Sequence, residues 1–457
     1  MQERAELSPA KVNEDLLRFP LHTPTWFWFA AAVLGVLIGA GLTAFGLMMI
    51  FGVGLLGYNN TVFWAILITN FVFWVGISHA GVMISAILRL SQAEWRRPVT
   101  RAAEVLTVFA LATAAIFPLI HLGRPWRMIY WFLPYDFARG IFPDVRSALI
   151  WDPSAIFTYL TGSSLFVFVA LIPDLAVARD RTTGWRHTFY RTLALGFHGS
   201  ARQWRFQTIA GILLSALILP VFVSVHSIVS FDFAMAILPG WHATVFAPYF
   251  VIGAVHSGVS AVATLMAILR RVFSLQDYIT PDHFDALGRL LVVVSTAWLY
   301  FFLMDFYFGI FSREPTELAI WELRMFTPYW NVLFVIFMFT AYLIPVPIWL
   351  FRRFRRNIAI MFWTSILVNI GMWLERYILI VPPLSFKQPF TFTWLNPYQP
   401  QPIEWVLTLF SFALVTTGIL LFSKLFPIIP LFDIKEGQVL KREVQIGRAR
   451  VPAVIRE

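Results

Sequence analysis

Long apolar stretches alternate along this chain with loops whose arginines and lysines gather on one side. A helix of roughly 20 apolar residues crosses a hydrocarbon core ~30 Å thick. Within that core only helices and closed barrels satisfy their backbone polar groups. The pattern predicts an all-α integral membrane protein with ten transmembrane helices. The spans read as about Trp26–Leu56, Val62–Leu88, Ala102–Ile120, Pro153–Pro173, Phe206–Ile228, Val245–Leu269, Leu290–Phe311, Phe326–Leu350, Ile358–Val381 and Ile403–Phe426.

Loop charge gives the orientation. One side receives the N-terminal arm, Arg89/Arg96/Arg97/Arg101, the basic run Arg179–Arg205, Arg270/Arg271/Arg289, Arg352/Arg353/Arg355/Arg356 and the basic tail after Phe426. The other side mixes Arg124, Arg127, Arg139, Arg146, Arg313, Arg324 and Lys387 with Asp136, Asp144, Asp152, Asp232, Glu314, Glu317 and Glu322. The positive-inside rule then makes both termini of this multi-pass protein cytoplasmic. Met1–Pro24 is polar, shows no cleavable signal peptide and reads as an ordered arm on the membrane face.

Of the 457 residues, 59% are hydrophobic and only 13% charged, which excludes soluble, secreted and disordered classes. The net charge of +10 belongs to short loops between spans and serves orientation and lipid headgroups rather than nucleic acid. Cysteine is absent. The chain therefore has no thiolates for an iron–sulfur cluster or a structural zinc site. Redox chemistry here would rest on haem held by histidine, on a diffusible quinone, or on clusters carried by a partner.

Span two reads FWVGISHAGVMISAILRL and span six FVIGAVHSGVSAVATLMAILRR. Both hold G-x-x-H-x-G-V, at Gly76/His79/Gly81/Val82 and Gly253/His256/Gly258/Val259, and both close on ILR. Span four (DPSAIF to LIPD) and span eight (TPYWNV to LIPV) echo each other in the same register. Two tandem four-helix bundles, pointing the same way and flanked by spans one and ten, are expected. The divisions are a cytoplasmic N-terminal arm (1–25), flanking helix one (26–57), a first bundle of spans two to five (58–230), a second bundle of spans six to nine (231–385), flanking helix ten (386–428) and a cytoplasmic C-terminal tail (429–457).

Titratable residues at membrane depth are costly unless paired or hydrated, so each is a functional candidate. They are His79, Glu104, His121, Asp152, Asp174, His226, Asp232, His256, Asp305, Glu375 and Arg376. Several also have a structural reading: Asp174 as a solvated rim residue, Glu375–Arg376 as an ion pair tying helices together, His79 and His256 as hydrogen-bonded interface histidines; Asp305, late in span seven amid Phe302, Phe306 and Phe308, resists one. His121, Asp152, His226 and Asp232 fall at the outer ends of spans three to five. A histidine and a carboxylate there can accept the two protons released when a quinol is oxidised. Trp126, Tyr130 and Trp131, in a loop long enough to be a docking platform or lid, would give a quinone ring its apolar walls. His79, nearer the inside, would begin a proton path with Glu104 and Asp174. His256, Asp305 and Glu375 would form a counterpart in the second bundle.

Other signals carry less. Gly52-x-Gly54-x-x-Gly57 matches a dinucleotide fingerprint but ends a span instead of following a strand. Gly35 and Gly39 suit helix packing. Asn59-Asn60-Thr61 fits a glycosylation sequon that has meaning only in a eukaryotic secretory context.

The span-two signature, HLGRPW at His121–Trp126, WDPSAIF at Trp151–Phe157, VHSIVSFDFA and WLERY together resemble the polysulfide-reductase membrane-subunit (NrfD-like) family across essentially all spans. Most members have eight or nine spans. The ten-span, doubled form looks like the quinol-oxidising C subunit of alternative complex III, whose F subunit is closely related. The resemblance implies an oxidoreductase subunit with a quinol site, menaquinol by preference, near the periplasmic face. It implies no metal on this chain, an iron–sulfur partner above the site, c-type haems on further cytochrome subunits and a homologous second membrane subunit. The family's site histidine falls on His121 and its site aspartate on Asp152, with Arg124, Trp126, Tyr130 and His226 lining the quinol. Its proton path maps onto His79, Glu104, Asp174 and Asp232, and onto His256, Asp305, Glu375 and Arg376. Two rivals are a haem-bearing cytochrome b type subunit, which needs histidines paired at one depth, and an ion-coupled secondary transporter.

Overall fold

The computed structural model describes residues 7–58, 62–121, 123, 125, 148–386, 398–439, 441–446 and 449–454. In chain order its main elements are α1 (Pro9–Leu21), α2 (Thr25–Phe51), α3 (Ala65–Leu90), α4 (Thr100–His121), α5 (Ala148–Arg179), α6 (Gly184–Leu193), α7 (Ala201–Ala234), α8 (Phe246–Val272), α9 (Pro281–Phe311), α10 (Pro315–Phe326), α11 (Trp330–Leu350), α12 (Ile358–Ser385), α13 (Pro402–Leu425) and α14 (Leu431–Val439). Two short antiparallel strands, β1 (Lys441–Ile446) and β2 (Ala449–Val454), close the chain.

Among the described residues ten helices are long and apolar enough to cross a membrane, and the expectation of an all-helical, ten-span integral membrane protein is borne out. Ten alternating crossings leave both termini on one face, here the termini face; the opposite one is the far face. The hairpin in the tail is an addition that the sequence pattern does not announce.

Several helices overrun their apolar stretches, because a helix ends at a cap and not at a change of hydropathy. α7 starts ahead of Phe206, where the Ser200 hydroxyl accepts from Gln203 N at 3.3 Å and Gln203 returns the bond to Ser200 N at 3.3 Å. This reciprocal capping box fixes the first turn. α7 also runs on to Ala234, so Asp232 belongs to its last turn. Thr280 and His283 begin α9 in the same manner, well before Leu290.

The two motif-bearing helices, α3 and α8, pack on each other at the centre. Around α3 stand α4 and α7, with α5 behind them; around α8 stand α9, α12 and again α7. The contact between α3 and α8 is made by small residues. A Cβ added at Gly258 would lie 2.7 Å from the Ala80 Cβ and 2.9 Å from its backbone N, so glycine alone allows the approach. Gly76 faces Ala254 and Ser257 more loosely, its nearest atom being 3.4 Å from such a Cβ. His79 and His256 then point away from this wall into separate interiors, as their partners described below show.

α13 is fastened to the rest by polar side chains. Asn70 on α3 donates to Thr408 at 2.7 Å and accepts from the Trp373 indole at 2.8 Å, while the Trp74 indole donates to Ser411 at 2.8 Å. The wholly buried Glu404 accepts from Gly57 N (2.9 Å), the Tyr398 hydroxyl (2.8 Å) and Gln401 N (2.8 Å).

At the termini face several loop arginines are not solvated. Arg101 forms a buried ion pair with Asp174 at 2.8 Å and donates to the carbonyls of Ala170 and Pro427. Asp174 in turn accepts from Leu431 N and Phe432 N, both at 3.2 Å, and so holds the first turn of α14. Arg97 reaches Glu436 at 2.7 Å and the Asp433 carbonyl at 2.9 Å. The N-terminal arm is a helix, α1, that buries Val12, Leu16 and Leu17 against α13 and α14. Lys424 donates to the carbonyls of Phe19 and Pro20, and Arg186 to that of Leu21. Cations at the C-terminal end of α1 suit both its unsatisfied carbonyls and its dipole.

Candidate functional site

His121 ends α4 at the far face and is buried. Its ring packs on the Trp64 indole (centroids 5.0 Å apart, tilted 33°) and meets Phe71 edge-on at 6.3 Å. Trp64 begins α3 with φ 61°, a left-handed backbone that a bulky aromatic residue rarely adopts. Such strain persists where the surroundings enforce it, often at sites of function. Here it delivers an indole onto the imidazole.

Asp152 lies in the first turns of α5, also at the far face. Its carboxyl hydrogen-bonds that of Asp232 in the last turn of α7. A bond between two carboxyl groups needs one proton between them. His121 Nδ1, Asp152 Oδ1 and Asp232 Oδ1 are buried and have no hydrogen-bond partner among the described residues. Such orphaned polar atoms are costly in a finished interior. They are the donors and acceptors that a polar ligand would use. Arg124, Trp126 and Tyr130, with the rest of the loop expected to serve as platform or lid, lie outside the described residues.

His226 does not join this group. It lies about two turns short of the end of α7, and its ring contacts His79 with centroids 4.6 Å apart and planes at 64°. The sequence reading at the outer ends of spans is corrected by the length of α7, which carries Asp232 to the far face and leaves His226 deeper. Neither His226 ring nitrogen has a partner in good geometry among the described residues. His79 faces the Val75 carbonyl through Nδ1 at 2.5 Å and the Phe222 carbonyl through Nε2 at 3.0 Å. A neutral ring serves only one of the two at a time. Tyr159 packs on His79 and donates to the Ser78 carbonyl at 3.1 Å. A single π-helical turn, Met83–Ile87, follows in α3, and from it the Ser85 hydroxyl donates to Glu104. Turns of this kind recur at functional positions in helices. Asp174, paired with Arg101, lies at the termini face.

The second set of candidates stands around α8. His256 Nε2 meets the Ser295 hydroxyl at 2.9 Å, and since that hydroxyl donates to the Leu291 carbonyl at 2.6 Å, the imidazole donates to Ser295. Its Nδ1 is unpartnered among the described residues, and its ring packs on Trp298. Glu375 and Arg376 approach to 2.8 Å, yet as sequence neighbours they do so without the alignment of a hydrogen bond. The Arg376 guanidinium lies over Phe250 at 4.7 Å and into the space left by Gly253, where a Cβ would come within 2.7 Å of it. Tyr249 neighbours Glu375, and Asp305 has Arg324, Glu317 and Glu375 as its charged neighbours. The His79–His226 rings are too close to hold a porphyrin between them, and no group of metal-holding side chains is found among the described residues.

The model of the polysulphide reductase, NrfD, family matches residues 54–386, from just past α2 to just past α12. The chain belongs to the NrfD family. A protein of Halobacterium salinarum, described provisionally as a membrane subunit of dimethyl sulfoxide reductase, is 25% identical over 262 residues. That stretch is 57% of this chain and 55% of the relative, so the chain spans little more than half the relative's length.

The matched stretch contains every candidate above, from His79 to Arg376. Sequence reasoning passes over Trp64, Tyr159, Ser85, Tyr249, Ser295, Arg324 and the buried Glu404. Some are legible. Tyr159 falls about two turns from Asp152 on one face of α5. Gln401 and Glu404 have capping-box spacing. The backbone strain at Trp64 leaves no trace in the sequence.

Proposed function

We propose that this NrfD-family chain is the quinol-oxidising membrane subunit of a respiratory quinol:electron-acceptor oxidoreductase, in an assembly of the alternative complex III type. One observation carries the reading: among the described residues the His121 imidazole, packed on Trp64 and Phe71, keeps an unpartnered nitrogen at the far face, where the Asp152–Asp232 carboxyl pair also lies. Two proton acceptors beside flat apolar walls are what a quinol needs in order to lose two protons with its two electrons. His121 takes the proton of one ring hydroxyl through Nδ1. The carboxyl pair takes the other, passing it along the hydrogen bond that already joins the two aspartates.

Trp64 and Phe71 hold the quinol ring and keep water from it. Menaquinol is the preferred substrate in this reading. Electrons leave to iron–sulfur clusters on a partner protein at the far face, then to c-type haems on further cytochrome subunits, beside a homologous second membrane subunit. The far face is then periplasmic and the termini cytoplasmic, in a bacterial inner membrane. The first bundle works through Asp232, His79, Glu104 and Asp174. The second, with His256, Asp305, Glu375 and Arg376, offers a separate proton path. The relative's name, a reductase membrane subunit, accords with an oxidoreductase role.

The test is Asp152→Asn in the purified assembly. Quinol oxidation is expected to fall by roughly 10²–10⁴-fold, the usual worth of a general base, with the make-up of the assembly unchanged. Turnover equal to wild type would remove the carboxyl pair from the site.

A further inference from the structure

A cavity of about 390 Å³ opens at the termini face, at the level where α2 enters the bilayer and α8 and α13 leave it. Its wall is aromatic. Phe19 of α1 stacks on Trp26 at 5.4 Å with planes 6° apart, and Phe273 closes on both, at 4.5 Å from Phe19 and 5.9 Å from Trp26. Its polar side is cationic. Arg18 and His22 line it, are exposed, and have no ion-pair or side-chain hydrogen-bond partner among the described residues. Asp15, the acidic residue of the lining, accepts from the Tyr278 hydroxyl at 2.9 Å. Lys424 and Arg186, held on the α1 carbonyls, add positive charge behind the cavity. Below the mouth, Ile268 and Val272 stand one turn apart on α8, each 42% exposed, and Val33 of α2 is 46% exposed.

We infer that this cavity is a binding site for the headgroup of an anionic phospholipid, with an acyl chain laid along the apolar surfaces of α2 and α8. Three features converge on that ligand. The cavity sits at headgroup depth, as the Trp26 belt position and the span ends place it. Arg18 offers a planar fork suited to phosphate, with His22 as a second donor. The surface beneath is apolar where the chain of a lipid must lie, and basic pockets between spans are a recurrent setting for anionic headgroups. Occupancy would pin α1 to the ends of α8 and α13, so the lipid acts as a bridge between the N-terminal arm and the membrane body. The inference is independent of the quinol reading.

Hydrogen–deuterium exchange of the purified assembly in nanodiscs tests it. Discs of phosphatidylcholine alone are compared with discs containing phosphatidylglycerol, and the readout is exchange across residues 9–21. Anionic lipid is expected to slow exchange there several-fold, an effect lost in the Arg18→Gln, His22→Gln double variant and retained in Arg352→Gln, which removes an exposed cation elsewhere on the same face. No lipid dependence in wild type overturns the proposal. An equal loss in Arg352→Gln also overturns it, because surface charge alone would then explain the effect. Protection by inorganic phosphate in phosphatidylcholine discs would mark a site for soluble anions and overturn the lipid assignment. Because both substituted side chains are exposed, a folding defect is not expected, and the far-ultraviolet circular dichroism of the variant checks this.

Discussion

Asp152 on α5 and Asp232 on α7 join two spans through a carboxyl–carboxyl hydrogen bond at the far face. The bond has room for one proton, and each residue keeps one oxygen without a partner among the described residues.

This makes Asp232 as important as its better-signalled neighbour. In Asp232→Asn the amide still donates to Asp152, so the helices stay joined, but the pair can no longer hand a proton on. Quinol oxidation by the assembled protein should fall roughly 10²–10⁴-fold, while thermal stability stays near wild type. A steady-state rate matching wild type would take Asp232 out of the proton-accepting pair.

Arg101→Leu should be among the most damaging changes outside the far face. It leaves Asp174 buried without its cation, and breaking a buried pair from one side costs about 3–5 kcal/mol. Replacing both partners by leucine removes the uncompensated charge, so the double variant should melt at a higher temperature than Arg101→Leu alone. Thermal unfolding followed by tryptophan fluorescence in detergent decides the order. If the double variant were the less stable, Asp174 would not be depending on Arg101 for its burial.

The wall between α3 and α8 gives a paired prediction. Gly258→Leu drives a side chain into Ala80 and should cost about 1–3 kcal/mol through overpacking. Gly76→Ala, whose added carbon meets nothing closer than 3.4 Å, should be close to neutral. Equal melting temperatures for the two variants would mean that the helices are not in the close contact described.

The ten spans are readable because span length and loop charge are properties of local sequence. The motif pair at His79 and His256 is readable for the same reason. What escapes is set by distance in the fold. Asp232 reads as an outer residue, but its bond to Asp152 depends on α7 running on to Ala234, past the end of the apolar stretch. The same cause draws His226 to the wrong group. Arg101 reads as a loop cation because nothing in the sequence brings Asp174 to it, and the strained backbone of Trp64 depends on packing around its helix start.

His256→Ala separates the two interiors functionally. Its partners are Ser295 and Trp298, with none of the far-face groups near His121 among them. Quinol binding should therefore be unchanged. The number of protons moved per electron, measured in proteoliposomes with a pH-sensitive dye, should drop. An unchanged ratio would deny the second bundle a proton path.

Glycine, alanine and serine at the α3–α8 contact leave that seam without a proton carrier of its own. Under the proposal of a proton path in each bundle, this seam would act as an insulator between two parallel wires. Any current of protons through one half of the molecule would then have to enter and leave by that half's own ends, and a mutation that stops one half would leave the other running.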